Sequence, residues 1–204
     1  MKSAYYKEEA LFNYDEVIKV EDEQFYLTDI LTDRHYEKWF SRLKGDKGKI
    51  FVLNKGRCGN GGTMGFINYA REQCKGLIVS VPNRSIVISK ERYDECCCVY
   101  GGAENIEKNK NIRICTWDKT GEVERYDQFG FENIDITEWD EDVRFWSGSL
   151  FVVDEYHKLV DDSSYRSVCN KIVKTILTTN SNVVLMSATP NYGFIKLLED
   201  VSGK

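Results

Sequence analysis

Five short apolar runs set the limits on this chain. They are Lys49–Leu53, Leu77–Val81, Asn111–Thr116, Leu150–Asp154 and Asn182–Met186. Each has strand length, and apolar residues fill both alternate positions over most of it. A strand with one wet face alternates apolar and polar, whereas one that is apolar throughout is covered on both sides. Stretches with helical spacing separate the runs: Tyr36, Trp39, Phe40 and Leu43; Phe66, Ile67, Tyr69 and Ala70; Val168, Ile172, Val173, Ile176 and Leu177. Strand and helix in alternation predict an α/β fold, a parallel sheet with helices on both faces. The helices are expected from Thr32 or Asp33 to about Lys44, from Thr63 to Gln73, after Pro82-Asn83-Arg84, from Ser163 to Thr178, and from Tyr192 to Val201. Residues 1–30, acidic and aromatic, read as an N-terminal extension of irregular or short β structure, and 31–204 as the domain. The polar segment 117–148 is expected to hold one helix and a loop.

Ligands of such sheets sit at the carboxyl ends of the strands. Three chemically loaded segments follow strands here. Gly56-Arg57-Cys58-Gly59-Asn60-Gly61-Gly62-Thr63 has the frame G-x-x-x-x-G-K-[ST], with glycine in place of lysine. Glycines let a backbone turn its N–H groups inward around phosphate oxygens, and the helix that follows adds a favourable dipole. Gly56, Gly59, Asn60, Gly61, Gly62 and Thr63 are therefore candidate nucleotide contacts, with the Thr63 hydroxyl directed to Mg²⁺. Asp154-Glu155-Tyr156-His157 follows the fourth run. A carboxylate at the end of a buried strand is costly without a cation or donors. Mg²⁺ is the natural partner of Asp154, and Glu155 could orient or deprotonate an attacking water. Ser187-Ala188-Thr189-Pro190 closes the fifth run, its hydroxyls within reach of the neighbouring strand end. Taken singly, each segment has a plainer reading: a tight turn, a solvated strand end, a turn opened by proline. Their convergence on one edge is what carries weight.

Together these residues resemble the first RecA-like domain of a superfamily 2 helicase of the DExH type, a P-loop NTPase. Asp154-Glu155-Tyr156-His157 matches that family's Walker B box, and Ser187-Ala188-Thr189 its third motif. The resemblance covers roughly residues 31–200. It implies ATP and Mg²⁺ as cofactors, and catalysis by Glu155, Asp154 and His157. It also implies a metal held by Thr63 and Asp154, and coupling through Ser187 and Thr189. Pro82, Asn83 and Arg84, with Thr116, resemble the segments that touch a nucleic-acid backbone. Glu37 stands where many relatives carry a glutamine that reads adenine.

Two departures stand out. Gly62 replaces the lysine that neutralises the β- and γ-phosphates. Lys55 and Arg57 are the loop's own cations, and neither matches the usual position. A lysine restored at 62 is expected to tighten ATP binding by roughly one to two orders of magnitude. The residues after Thr189 are also too few for the second RecA-like lobe, which the resemblance places in the full protein or in a partner. Three readings stay open: a helicase-like, nucleic-acid-dependent ATPase lobe, a degenerate nucleotide-binding or scaffold module, and an unrelated P-loop-like α/β enzyme.

The formal net charge of −5 over 204 residues leaves no global basic field. DNA or RNA binding is therefore expected to be local and weak for the chain alone. No apolar run approaches the roughly 20 residues that span a bilayer. No membrane association is expected, and the N-terminal sequence, without a secretory apolar core, suggests the cytoplasm. Seven cysteines without a C-x-x-C pair, and two histidines, argue for reduced thiols rather than zinc.

Overall fold

All five expected strands form, and a sixth joins them. In the computed structural model, which describes residues 26–41, 48–56, 59–101, 110–120, 149–164 and 166–202, the strands are β1 (Ile50–Asn54), β2 (Leu77–Val81), β3 (Cys96–Val99), β4 (Ile112–Thr116), β5 (Leu150–Asp154) and β6 (Val183–Ser187). They build one sheet in the order β1-β6-β5-β2-β4-β3, and every neighbouring pair is parallel. The helices are α1 (Leu27–Ile30), α2 (Asp33–Phe40), α3 (Gly62–Glu72), α4 (Arg84–Ile88), α5 (Lys158–Asp161), α6 (Val168–Thr178) and α7 (Tyr192–Ser202).

The period-two geometry of a strand sends alternate side chains to opposite faces. Phe151, Val153, Val183 and Leu185 enter one core with Ile172 and Ile176 of α6 and Phe194 and Leu198 of α7. Leu150, Val152, Val184 and Met186 enter the other with Leu27, Tyr36, Phe66 and Ile67. β2, β4, β5 and β6 are thus covered on both faces, whereas β1, expected to be buried, lies at the sheet's edge and is only partly covered, with Val52 40% exposed.

Several boundaries differ from the sequence reading, each for a local reason. β3 was not expected. Its cysteines act as small apolar residues, and Cys96 and Cys97 are buried in an edge strand of four residues. α2 stops at Phe40, where Ser41 turns extended and its N–H bonds to the Glu37 carbonyl. The expected end at Lys44 lies outside the described residues, as does 121–148; 117–120 is helical. The helix expected from Ser163 begins only at Val168, and α5 forms separately after His157. Part of the expected extension is helical. Leu27 of α1 and Leu31 are buried in the core, and the Leu27 N–H donates to the Asn60 carbonyl at 2.7 Å.

A buried amide fastens the opposite edge. Asn182, 5% exposed, accepts from the Lys49 N–H and donates to the carbonyls of Trp39 and Ser41. It ties the entry of β1, the exit of α2 and the start of β6 together.

Candidate functional site

Because the sheet is parallel, all six carboxyl ends share one edge. β1, β6 and β5 are consecutive there, with Asn54 opposite Ser187 and Asp154 opposite Met186. The glycine loop, Ser187 and Asp154 therefore rise from three neighbouring strands.

The loop leaves β1 at Lys55, whose N–H donates to the Ser187 carbonyl at 2.9 Å and whose carbonyl accepts from the Asn60 amide. Asn60 is 3% exposed, so this clamp closes the loop on itself from within. Gly56, Gly59 and Gly61 hold positive φ of 70°, 75° and 80°. At Gly61 that angle caps α3, a left-handed conformation that residues with a side chain adopt only under strain. Arg57 and Cys58 lie outside the described residues.

Gly62, where the family lysine was expected, is the first residue of α3 and is buried. A Cβ placed there would lie 2.7 Å from Met186 Sδ and 3.2 Å from Leu27 Cδ1. The room for a side chain at 62 is taken by these two residues, so the expectation that a lysine there simply restores a contact meets a steric obstacle.

Thr63, one residue on, donates its hydroxyl to Asp154 Oδ2 at 3.1 Å. The other oxygen, Oδ1, accepts from the Glu155 N–H at 2.9 Å and from the Lys55 ammonium at 2.8 Å. Lys55 Nζ also lies 2.6 Å from Glu155 Oε1. The side chains of Lys55, Asp154 and Glu155 are 6%, 7% and 15% exposed. Burial alone would lower the Lys55 pKa. The Asp154 charge, the hydrogen bonds to Asp154 and Glu155, and the Glu155 charge outweigh it and hold the ammonium above its ordinary value.

Glu155 itself adopts a left-handed φ of 53°, rare for a residue with a side chain. This turn aims the carboxylate back toward Lys55 while Tyr156 drops into the core, fully buried. The Tyr156 hydroxyl accepts from the Asn191 N–H at 3.1 Å, fastening the end of β5 to the start of α7. His157 Nδ1 lies 2.8 Å from Ser187 Oγ and 3.4 Å from Glu155 Oε2. Ser187 Oγ also accepts from the Thr189 N–H at 3.0 Å. One chain of contacts thus runs from Thr63 through Asp154, Lys55, Glu155 and His157 to Ser187 and Thr189.

The other candidates sit on the second half of the edge, at β2, β4 and β3, with Val81 opposite Thr116. Asn83 caps α4 and is exposed, as is Arg84, whose guanidinium lies 4.6 Å from the Tyr100 ring centroid. Pro82 and Thr116 are buried. Glu37 is exposed on α2, beside a buried Tyr36 that stacks on Tyr69.

Sequence reasoning underrated Lys55. The signal was a lysine directly after the apolar run of β1, on the sheet edge that also carries Asp154 and Glu155, where a buried charge must find partners.

No helix among the described residues is long and apolar enough to cross a membrane. A family model described as DEAD/DEAH box helicase matches residues 75–197, a span that holds Asp154, Glu155, His157, Ser187 and Thr189 and begins after the glycine loop. Among solved structures the chain is similar to the Sulfolobus solfataricus SWI2/SNF2 ATPase core in complex with dsDNA, at 14% identity and a TM-score of 0.43. That similarity covers 88% of this chain and 35% of the other, so the chain spans about a third of that protein's length. No curated protein sequence matches it. With the family model matched over more than half its residues, and with a parallel sheet that carries the motifs on one edge, the chain belongs to the DEAD/DEAH box helicase family.

Proposed function

We propose that the chain is the ATP-binding, RecA-like lobe of a superfamily 2, DExH-type ATPase. Its hydrolysis is coupled to DNA or RNA remodelling when a second lobe, from the full protein or a partner, closes on it. The observation that carries this reading is the 3.1 Å contact of Thr63 Oγ1 with Asp154 Oδ2, which joins the glycine loop to the acidic strand end across 91 positions.

The donor set fits ATP and Mg²⁺. Gly56, Gly59 and Gly61 hold the positive φ that a phosphate cradle needs. The carboxylates already hold a cation, the Lys55 ammonium, so the site is built for positive charge. Thr63 and Asp154 are the residues that would hold the metal, which when bound neutralises charge on the phosphates. Glu155 is the base that takes a proton from the attacking water at its carboxylate. His157 and Ser187 hold Glu155 and Thr189 in register, which suits them to pass the state of the nucleotide site along the sheet edge. Asn83 and Arg84 are the exposed groups fitted to phosphates of a nucleic-acid backbone.

A second reading has its own support. Gly62 lacks the expected lysine, and its space is filled. A module that keeps the fold and has lost turnover would look the same at that position. Calorimetric titration of ATP·Mg²⁺ separates the two. Binding, with hydrolysis that rises on adding DNA or RNA and the second lobe, supports the ATPase lobe. A folded chain with no nucleotide response refutes it.

A further inference from the structure

We propose that Lys55 is the phosphate-binding lysine of this chain, delivered from the end of β1 in place of one at position 62. The proposal rests on the nucleotide-binding reading above and adds the residue that supplies the missing charge.

A lysine near a surface ordinarily extends its ammonium into water. Lys55 does the reverse, placing Nζ 2.8 Å from Asp154 and 2.6 Å from Glu155 with a side chain only 6% exposed. Its root is fixed on both sides, by the Ser187 carbonyl and by the Asn60 amide. The flexible four-carbon stem alone is left to move, and it carries a charge that can change partners without moving the loop.

The position also meets the start of α3. Asp154 receives the Lys55 ammonium on one oxygen and the Thr63 hydroxyl on the other, so Lys55 lies two hydrogen bonds from the helix that opens the cradle. At Gly62, where the pattern has its lysine, a side chain requires Met186 to shift, since a Cβ there would stand 2.7 Å from its Sδ. The cation is needed because a nucleoside triphosphate brings several negative charges against two carboxylates. Without a fixed positive charge, that approach is repulsive.

Lys55 neutralises Asp154 and Glu155 while no nucleotide is bound. With nucleotide bound, the Lys55 ammonium would exchange these carboxylates for phosphate oxygens held by the loop, and Thr63 and Asp154 would be left to hold a metal ion. The role involves no covalent step, only an exchange of ion-pair partners.

The test compares two variants that differ only at position 55, the second of which keeps the wild-type charge balance of the site. Glu155→Gln is the reference, and Lys55→Met is added to it, so that one carboxylate and the ammonium leave together. Both are titrated calorimetrically with ATP·Mg²⁺ and with adenosine, and their folds are checked by circular dichroism. Loss of Lys55 is expected to weaken ATP·Mg²⁺ binding roughly ten- to hundredfold, the effect of one charge-assisted contact. Adenosine binding, which has no phosphate to lose, stays within about twofold on the same ground. Equal ATP affinity in the two proteins overturns the role of Lys55 while leaving the ATP-binding reading in place. So does an equal loss for ATP and adenosine, which marks a merely structural lysine. If wild-type protein binds no ATP·Mg²⁺, the nucleotide-binding reading fails first and this role falls with it. Should the double variant prove unfolded, Lys55→Gln, which keeps a donor toward both carboxylates, is judged by the same ratio.

Discussion

Gly62 offers a sharp test of how the glycine loop is packed. In an ordinary helix, replacing glycine by alanine stabilises by about 0.5–1 kcal/mol, because glycine loses more backbone freedom on folding. Gly62 is the first residue of α3 and its φ is not positive, so the backbone accepts alanine. The new Cβ, however, would stand 2.7 Å from Met186 Sδ, a contact that real structures do not tolerate without a shift. Met186 is fully buried between Val184, Leu27 and their neighbours, and forcing it aside costs about 1–3 kcal/mol. The clash should outweigh the helical gain, so Gly62→Ala is expected to destabilise by about 1–2 kcal/mol, near the middle of the combined range. In a chain of this size that lowers Tm by roughly 2–8 °C. Met186→Ala opens the space at a cost of its own, about 2–5 kcal/mol. In that background Gly62→Ala should turn stabilising. The four proteins form a double-mutant cycle read by urea denaturation, with an expected coupling of about 1–3 kcal/mol. Gly62→Ala raising wild-type stability, or having the same effect in both backgrounds, would refute the packing argument. A lysine at 62 begins with the same Cβ and inherits the same cost.

Glu155→Gln should bind ATP·Mg²⁺ within about threefold of wild type and lose roughly two to four orders of magnitude of hydrolysis, as expected for removal of a general base; equal loss of binding in calorimetry would contradict that assignment. Tyr36→Phe should leave the protein as stable or stabilise it by up to about 1 kcal/mol in a thermal melt, because the buried Tyr36 hydroxyl finds no partner among the described residues. Melting well below wild type would instead reveal a hydrogen bond at that site. Thiol reactivity should divide by position. Burial first, then the Glu95 charge, pushes the Cys96 thiol up to about 11, and burial with its neighbouring thiols and Glu91 raises Cys98 to about 12. A higher pKa means less thiolate at neutral pH. Iodoacetamide at pH 8, followed by mass spectrometry, should therefore modify exposed Cys74 while sparing Cys96 and Cys98 until denaturant is added.

The fold was legible because its strands are apolar on both faces, a pattern that few architectures require. Leu77–Val81, Leu150–Asp154 and the run ending at Met186 were each readable without any long-range information. β3 was not, since Cys96-Cys97-Cys98 has neither branched nor aromatic residues and lies at the sheet edge, where pairing with β4 decides its state. The early start assigned to α6 failed for a related reason. Ser163 bonds the Val160 carbonyl through both its N–H and its hydroxyl, a turn that closes α5, and α6 begins only at Val168. At the site, the acidic pair and Ser187 were visible as chemistry placed directly after strands. The left-handed backbone of Glu155 was not, because a glutamate carries no local preference for that conformation.

Lys55 shows how a motif at fixed spacing can hide a buried cation supplied from elsewhere in the chain. The loop pattern asks for a cation seven residues further along, at the start of α3. In this structure the buried cation, Lys55, meets Asp154 and Glu155, at the end of β5. β1 and β5 both flank β6, so they are two strand spacings apart, roughly 10 Å. A lysine just past β1, reaching inward over Ser187, bridges most of that gap with its own stem, and the aspartate side chain covers the rest. An alanine or serine at 55 could not. At position 62 the first side-chain carbon would already meet Met186 and Leu27. Sheet order, more than loop sequence, therefore settles which residue meets the two carboxylates, and in this chain it selects the one that the loop pattern passes over.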